Sequence, residues 1–186
     1  STGNADPSWA VSGTYRGSGQ CRAYYVYSME VHGNYLYAVS YYGHSVFRVH
    51  TTTGVCDYSE RVRYAYNLAI GNNKLYAFGR SRNYTTWNLS GAKPSKISCG
   101  LSVYSWLYYE SGSAVDPSGN YYYAARSTNL YRHKIDSNGC ITNSYSSLYI
   151  SSSYFYRAAI RFHPTNDNIL YAASLYRHKV TKITLD

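Results

Sequence analysis

Residues 114–139 read AVDPSGNYYYAARSTNLYRHKIDSNG, and this stretch decides the fold. The apolar pair Ala114-Val115 runs into a tight turn, Asp116-Pro117-Ser118-Gly119-Asn120. A strand-like run follows from Tyr121 to Ala125, then a polar break from Arg126 to Asn129. A second run, Leu130 to Ile135, ends in another turn, Asp136 to Gly139. Aromatic and β-branched side chains suit a pleated, half-buried surface, while Pro, Gly, Asn and Asp supply the backbone angles that turns need. The stretch therefore predicts three strands of an antiparallel meander.

The same pattern recurs along the chain. A Tyr-Ala pair follows a turn in GNYLYAVS (Tyr37-Ala38), NNKLYAFG (Tyr76-Ala77), GNYYYAAR (Tyr123-Ala124) and DNILYAAS (Tyr171-Ala172). The spacings are 39, 47 and 48 residues. A period of this length built only from strands is that of a propeller blade, a small twisted sheet that cannot bury both faces alone. The expected architecture is all-β, a four-bladed β-propeller with four-stranded antiparallel blades, and the 186 residues fill one such domain. The blades are expected over about 21–62, 63–100, 101–149 and 150–186. Ser8 to Arg16 (SWAVSGTYR) is a lone strand with no partner before it, and the last blade stops after three strands. The N-terminal strand is therefore expected to close the last blade as its outermost strand, which removes an exposed edge. Blade three is expected to open near Tyr104 to Tyr109, and blade four at Tyr154 to Arg157.

These residues resemble known repeats. AVDPSGNYYYAA with LYRHKIDSNG, and AIRFHPTNDNILYAAS with LYRHKV, look like blades of the NHL, YVTN and WD types. The resemblance spans nearly the whole chain. It lies in the scaffolding of the repeat, so it implies a fold and carries over no functional residues. The blade count resembles the hemopexin-like rings, without their sequence motif.

The four cysteines follow the blade pairs: Cys21 precedes blade one and Cys56 opens its outer strand, as Cys99 and Cys140 do for blade three. Sequence allows three connectivities, and the internal symmetry favours Cys21–Cys56 with Cys99–Cys140. With the sequons at Asn83 and Asn88, they point to a secreted, extracellular glycoprotein. The chain opens on Ser1 with no signal peptide and reads as a mature form. No apolar run approaches the length of a membrane span. No Cys-His spacing suits a metal, and no cofactor motif appears.

Nine carboxylates are scattered, with Asp116, Asp136 and Asp167 in turns. Glu30 and Glu110 on first strands, with Arg157 and Arg161, suggest charges lining an axis rather than an acid/base pair. A non-enzymatic protein is expected. The net charge of +9 favours anionic partners, and YRHK occurs twice, at Tyr131–Lys134 and Tyr176–Lys179, read as equivalent blade positions. Arg132, His133, Arg177 and His178 are thus candidate ligand residues. Nucleic acid fits poorly with an extracellular setting. The 26 Tyr, 3 Trp and 4 Phe exceed what so small a core buries. Exposed rings beside Arg, Asn and Ser make platforms for sugars. Trp9, Trp87, Trp106 and the Tyr41-Tyr42, Tyr108-Tyr109 and Tyr121-Tyr122-Tyr123 clusters are the candidates, whereas the four repeated Tyr-Ala tyrosines are expected to be structural. The leading expectation is a lectin-like module for carbohydrate or anionic polysaccharide. The second is a structural subunit that self-associates into an extracellular fibre, sheath or adhesive matrix.

Overall fold

The computed structural model describes Cys21, Ala23 and residues 25–79, 84–100, 112–150, 158–174 and 178–185. All regular structure there is β-strand. Four antiparallel meanders follow one another, and the fold is a four-bladed β-propeller. Blade one comprises β1 (Val26–His32), β2 (Tyr35–Ser40), β3 (Ser45–His50) and β4 (Cys56–Arg61). Blade two comprises β5 (Ala65–Gly71), β6 (Lys74–Gly79), β7 (Tyr84–Asn88) and β8 (Ser95–Ile97). Blade three comprises β9 (Gly112–Val115), β10 (Tyr121–Arg126), β11 (Asn129–Ile135) and β12 (Ile141–Tyr149). Blade four shows β13 (Ala158–His163), β14 (Asn166–Ser174) and β15 (Lys179–Thr184). The expected fourth strand of blade four, Ser8 to Arg16, lies outside the described residues, as do the openings expected at Tyr104 to Tyr109 and Tyr154 to Arg157.

The turns form where the sequence places left-handed backbone. Asn72 and Asn73 (φ 47° and 53°) make the two-residue turn between β5 and β6. Both central residues must have positive φ for such a turn to follow the strand twist, which asparagine tolerates. Asp116 and Asp136 cap their turns as expected: Asp116 Oδ1 accepts from Tyr121 N at 2.8 Å, and Asp136 Oδ1 from Cys140 N at 2.8 Å. Asp167 instead lies within β14, because the preceding hairpin closes at Pro164-Thr165.

The chain divides into two compact units, Ser1–Tyr66 and Asn67–Asp186, with the boundary inside β5. In the first, Ala38, Phe47 and Val49 pack with Cys21 and Cys56 in one cluster. In the second, blades two and three meet through aromatic rings, with Tyr122 lying 4.8 Å from Phe78 and 6.4 Å from Tyr76. The Tyr84 hydroxyl donates to the Ile141 carbonyl at 3.2 Å across the same contact. Gly71 of β5 lies so close to β9 that a Cβ there would overlap the Val115 side chain. Blades three and four share a core of Tyr123, Ala125 and Leu130 with Ile160, Leu170 and Ala172. The repeated alanines are all buried, and so are Tyr37, Tyr76 and Tyr123, while Tyr171 is half-buried. Those tyrosines are blade-packing residues, as expected.

Both expected disulfides form. Cys21 is bonded to Cys56 and Cys99 to Cys140, with Cα separations of 6.2 and 5.6 Å. The first pins the start of blade one to its outer strand. The second ties the segment after β8 to the turn before β12.

Candidate ligand-binding surfaces

Tyr41 and Tyr42 are brought together with tyrosines far from them in sequence. They form the turn between β2 and β3, beside Tyr25 and Tyr27 at the start of β1 and Tyr64 after β4. Tyr42 stands edge-on to Tyr25 at 5.1 Å and to Tyr41 at 4.9 Å, and Tyr41 lies 5.3 Å from Tyr27 and 5.2 Å from Tyr64. The His44 ring closes on Tyr64 at 4.3 Å, and the Arg63 guanidinium lies 5.5 Å from the same ring. Offset and edge-on contacts of this kind hold rings without covering both faces. Tyr25, Tyr27 and Tyr42 accordingly remain 68%, 52% and 57% exposed.

The backbone under this platform is unusual. Tyr25, His44 and Tyr64 all have left-handed φ (54°, 52° and 51°), a conformation that bulky residues rarely adopt. Each costs about 1–3 kcal/mol and persists only where the surroundings hold it. Here Tyr41 N donates to the Tyr25 carbonyl at 3.1 Å, Val62 N to the His44 carbonyl at 2.8 Å, and Tyr64 N to His44 Nδ1 at 3.1 Å. The signal in the sequence was the Tyr-Tyr pair in a turn. Tyr25 and Tyr64 were missed because left-handed tyrosines leave no mark in composition or alternation.

A second feature joins arginine to paired tyrosines. In blade one the Arg48 guanidinium lies 3.9 Å from the Tyr35 ring centroid and bonds to the Tyr37 hydroxyl. Asp57 grips it with both oxygens, Nε–Oδ1 at 2.8 Å and Nη2–Oδ2 at 2.6 Å. Asp57 reaches Arg48 because the strand bulges there: Tyr58 pairs with Arg48 and Cys56 with Val49, leaving Asp57 with no partner in the ladder. The Asp57 bond and, to a lesser degree, the Tyr37 bond raise the Arg48 pKa against burial, which opposes it. Burial pushes the Tyr37 phenol up, and Arg48 partly offsets this.

The remaining sequence candidates fall differently. Trp87 in β7 and Tyr122 in β10 are completely buried, so their place among surface sugar-stacking residues is corrected: both rings are enclosed by packing. His133 is corrected likewise. It is fully buried between Tyr122 (6.3 Å) and Tyr145 (5.4 Å), and desolvation lowers its pKa to about 4, against a backbone bond at Thr142 that raises it. Arg132 is half-buried in β11. His178 sits in a turn (φ 49°) ahead of β15 and is exposed. The two YRHK strings are therefore not equivalent. Arg132 stands opposite Tyr123, but the matching Tyr171 of blade four stands opposite Lys182. The spacing from the Tyr-Ala tyrosine to each string, 8 residues in one and 5 in the other, already carried that difference. Asn88 is half-buried, and its Oδ1 accepts from Ser90 N at 3.0 Å within the sequon turn. Trp9, Asn83, Trp106, Tyr108, Glu110, Arg157 and Arg177 lie outside the described residues. Among the described residues, no cluster of three or more His, Cys, Asp or Glu could hold a metal, and no helix is long and apolar enough to cross a membrane.

No protein-family pattern and no curated protein matches the chain. Solved structures do. The β-propeller domain of Cps50 (Swd1) from Myceliophteria thermophila superposes with a TM-score of 0.59 at 16% identity, over 87% of this chain and 54% of that one. A functionally unknown protein from Desulfotomaculum acetoxidans gives 0.61 at 13% identity, over 89% and 58%. The computationally designed Ika4 protein gives 0.53 at 11% identity, over 88% of this chain and 92% of its own. The chain thus spans little more than half the length of the two natural proteins. At these identities the likeness shows the propeller fold alone.

Proposed function

We propose that this protein is an extracellular, non-enzymatic binding module whose Tyr25–Tyr27–Tyr41–Tyr42 platform takes carbohydrate. The observation that carries this reading is a set of exposed rings held on a backbone of three left-handed non-glycine residues. Strained backbone and exposed aromatic area are both costly, and they coincide here. Pyranose C–H faces stack on such rings, and the neighbouring Arg63 and His44 supply polar edges. The two disulfides are compatible with an oxidising, extracellular setting. Glycan-array binding by the whole chain tests this, followed by Tyr42→Ala and Tyr27→Ala. Each is expected to weaken binding about tenfold or more, as truncation of an aromatic anchor does. A blank array, or undiminished binding by both variants, overturns the reading.

A second reading is self-association into an extracellular assembly. Tyr27, Met29 and Val31 lie two residues apart along β1, and all are exposed, at 52%, 54% and 64%. An apolar stripe suits a protein interface better than a sugar. Light scattering distinguishes the two: particles that grow with concentration and ignore free sugar favour assembly.

A further inference from the structure

The arginine cradle of blade one has a counterpart in blade three. Tyr37 pairs with Arg48, and Tyr123 pairs with Arg132. Tyr35 and Tyr37 stand 6.5 Å apart at 60°, and Tyr121 and Tyr123 stand 6.5 Å apart at 61°. The Arg132 guanidinium lies 4.8 Å from the Tyr121 ring centroid and bonds to the Tyr123 hydroxyl, as Arg48 does with its own pair. One element differs. In blade one the fork is filled by Asp57, whereas β12, which pairs with Arg132's strand, carries no carboxylate in ITNSYSSLY. Among the described residues, the acids flanking this blade, Asp116 and Asp136, are committed to their turns. Asp116 accepts from Tyr121 N and Ser118 Oγ, and Asp136 from Asn138 N and Cys140 N. Ser146, small and exposed, stands opposite Arg132 where blade one has Tyr58 opposite Arg48. Arg48 is buried at 2% exposure, while Arg132 is only half-buried, and among the described residues no carboxylate pairs with it.

We propose that the Tyr121–Tyr123–Arg132 cradle binds the carboxylate of an external ligand, in the place that Asp57 takes intramolecularly in blade one. Resting on the carbohydrate reading above, the ligand class is a uronic-acid residue of an acidic polysaccharide. Its carboxylate takes the guanidinium fork in two parallel bonds, and its hydroxyls meet Ser146 and its exposed neighbour Ser144. Arginine rather than lysine suits this task because its planar fork matches a carboxylate and its face stacks on a ring.

The test is a titration of the whole protein with methyl glucuronoside, methyl glucoside and acetate. It is followed by calorimetry and by the Arg132 Nε–Hε resonance, in wild type, Arg132→Gln and Arg132→Lys. The expected result is that glucuronoside binds about tenfold or more tightly than glucoside and shifts the Arg132 resonance. Arg132→Gln erases that preference and Arg132→Lys recovers only part of it. Glucuronoside and glucoside binding equally, with the resonance unmoved, overturns the proposal and leaves the carbohydrate reading standing. Acetate shifting the resonance while glucuronoside does not keeps the carboxylate site and removes uronic acid as its ligand. Should Arg132→Gln fail to fold, the wild-type resonance decides alone: no shift with glucuronoside or acetate sinks the site.

Discussion

Acidification should unfold this protein through His133. The imidazole is fully buried, flanked by the Tyr122 and Tyr145 rings, and desolvation lowers its pKa from 6.5 to about 4. The folded state therefore resists protonation while the unfolded chain accepts a proton near 6.5. Between those values the unfolded state binds more protons, so stability is complete above 6.5 and falls as pH drops toward 4. The loss amounts to about 2 kcal/mol at pH 5 and about 3 kcal/mol at pH 4, which is a large share of a typical domain's stability. Urea midpoints at pH 7, 6, 5 and 4, for wild type and His133→Leu, isolate this contribution from that of the carboxylates. The variant's stability at pH 7 is immaterial, because the difference in slope carries the result. Wild type should lose about 3 kcal/mol more than the variant across that range. Parallel pH profiles, or the His133 imidazole carbon resonance titrating near 6.5 in the native protein, would refute the reasoning.

Other outcomes follow from the same contacts. Asp57→Asn should cost about 3 kcal/mol by chemical denaturation, because it leaves the Arg48 charge buried without its acid. Replacing both residues by apolar ones should recover most of that loss. Cutting the Cys99–Cys140 bond by a double Cys→Ser change opens a loop of 41 residues and should lower stability by about 4 kcal/mol. Burial pushes the Tyr84 phenol up to about 12 and raises Tyr76 as well, so ultraviolet titration should show a late-ionising group of phenols, and Tyr84→Phe should shrink that late step by one tyrosine without abolishing it. Gly71→Val should destabilise by about 1–3 kcal/mol, since even a Cβ there overlaps the Val115 side chain.

The strands were legible because their causes are local. The runs read at Tyr121 to Ala125 and Leu130 to Ile135 appear as β10 (Tyr121–Arg126) and β11 (Asn129–Ile135), each within one residue, since alternation and turn residues act within a few positions. The disulfide pairing was legible for another reason: the repeat places each cysteine at a matching blade position, and symmetry chooses among the three connectivities. Surface residues were less legible. Trp87 and Tyr42 are both aromatic residues near strand ends, yet one is enclosed and the other 57% exposed. Packing between residues far apart in the chain determines that difference, and a single strand carries no record of it.

Repetition and short-range periodicity specify the all-β propeller, its blade period, its cysteine pairs and the tyrosines of its core, so all four could be read from the residues alone. Which tyrosines cluster on left-handed backbone, and which arginine already holds an acid, emerge from the folded chain. Arg48 and Arg132 occupy the same place in the repeat, but a bulge one strand away delivers Asp57 to the first, and among the described residues no acid reaches the second. Pairing across strands, which depends on where each ladder slips, sets the charge state of a site, and that information is spread over residues far apart in the chain.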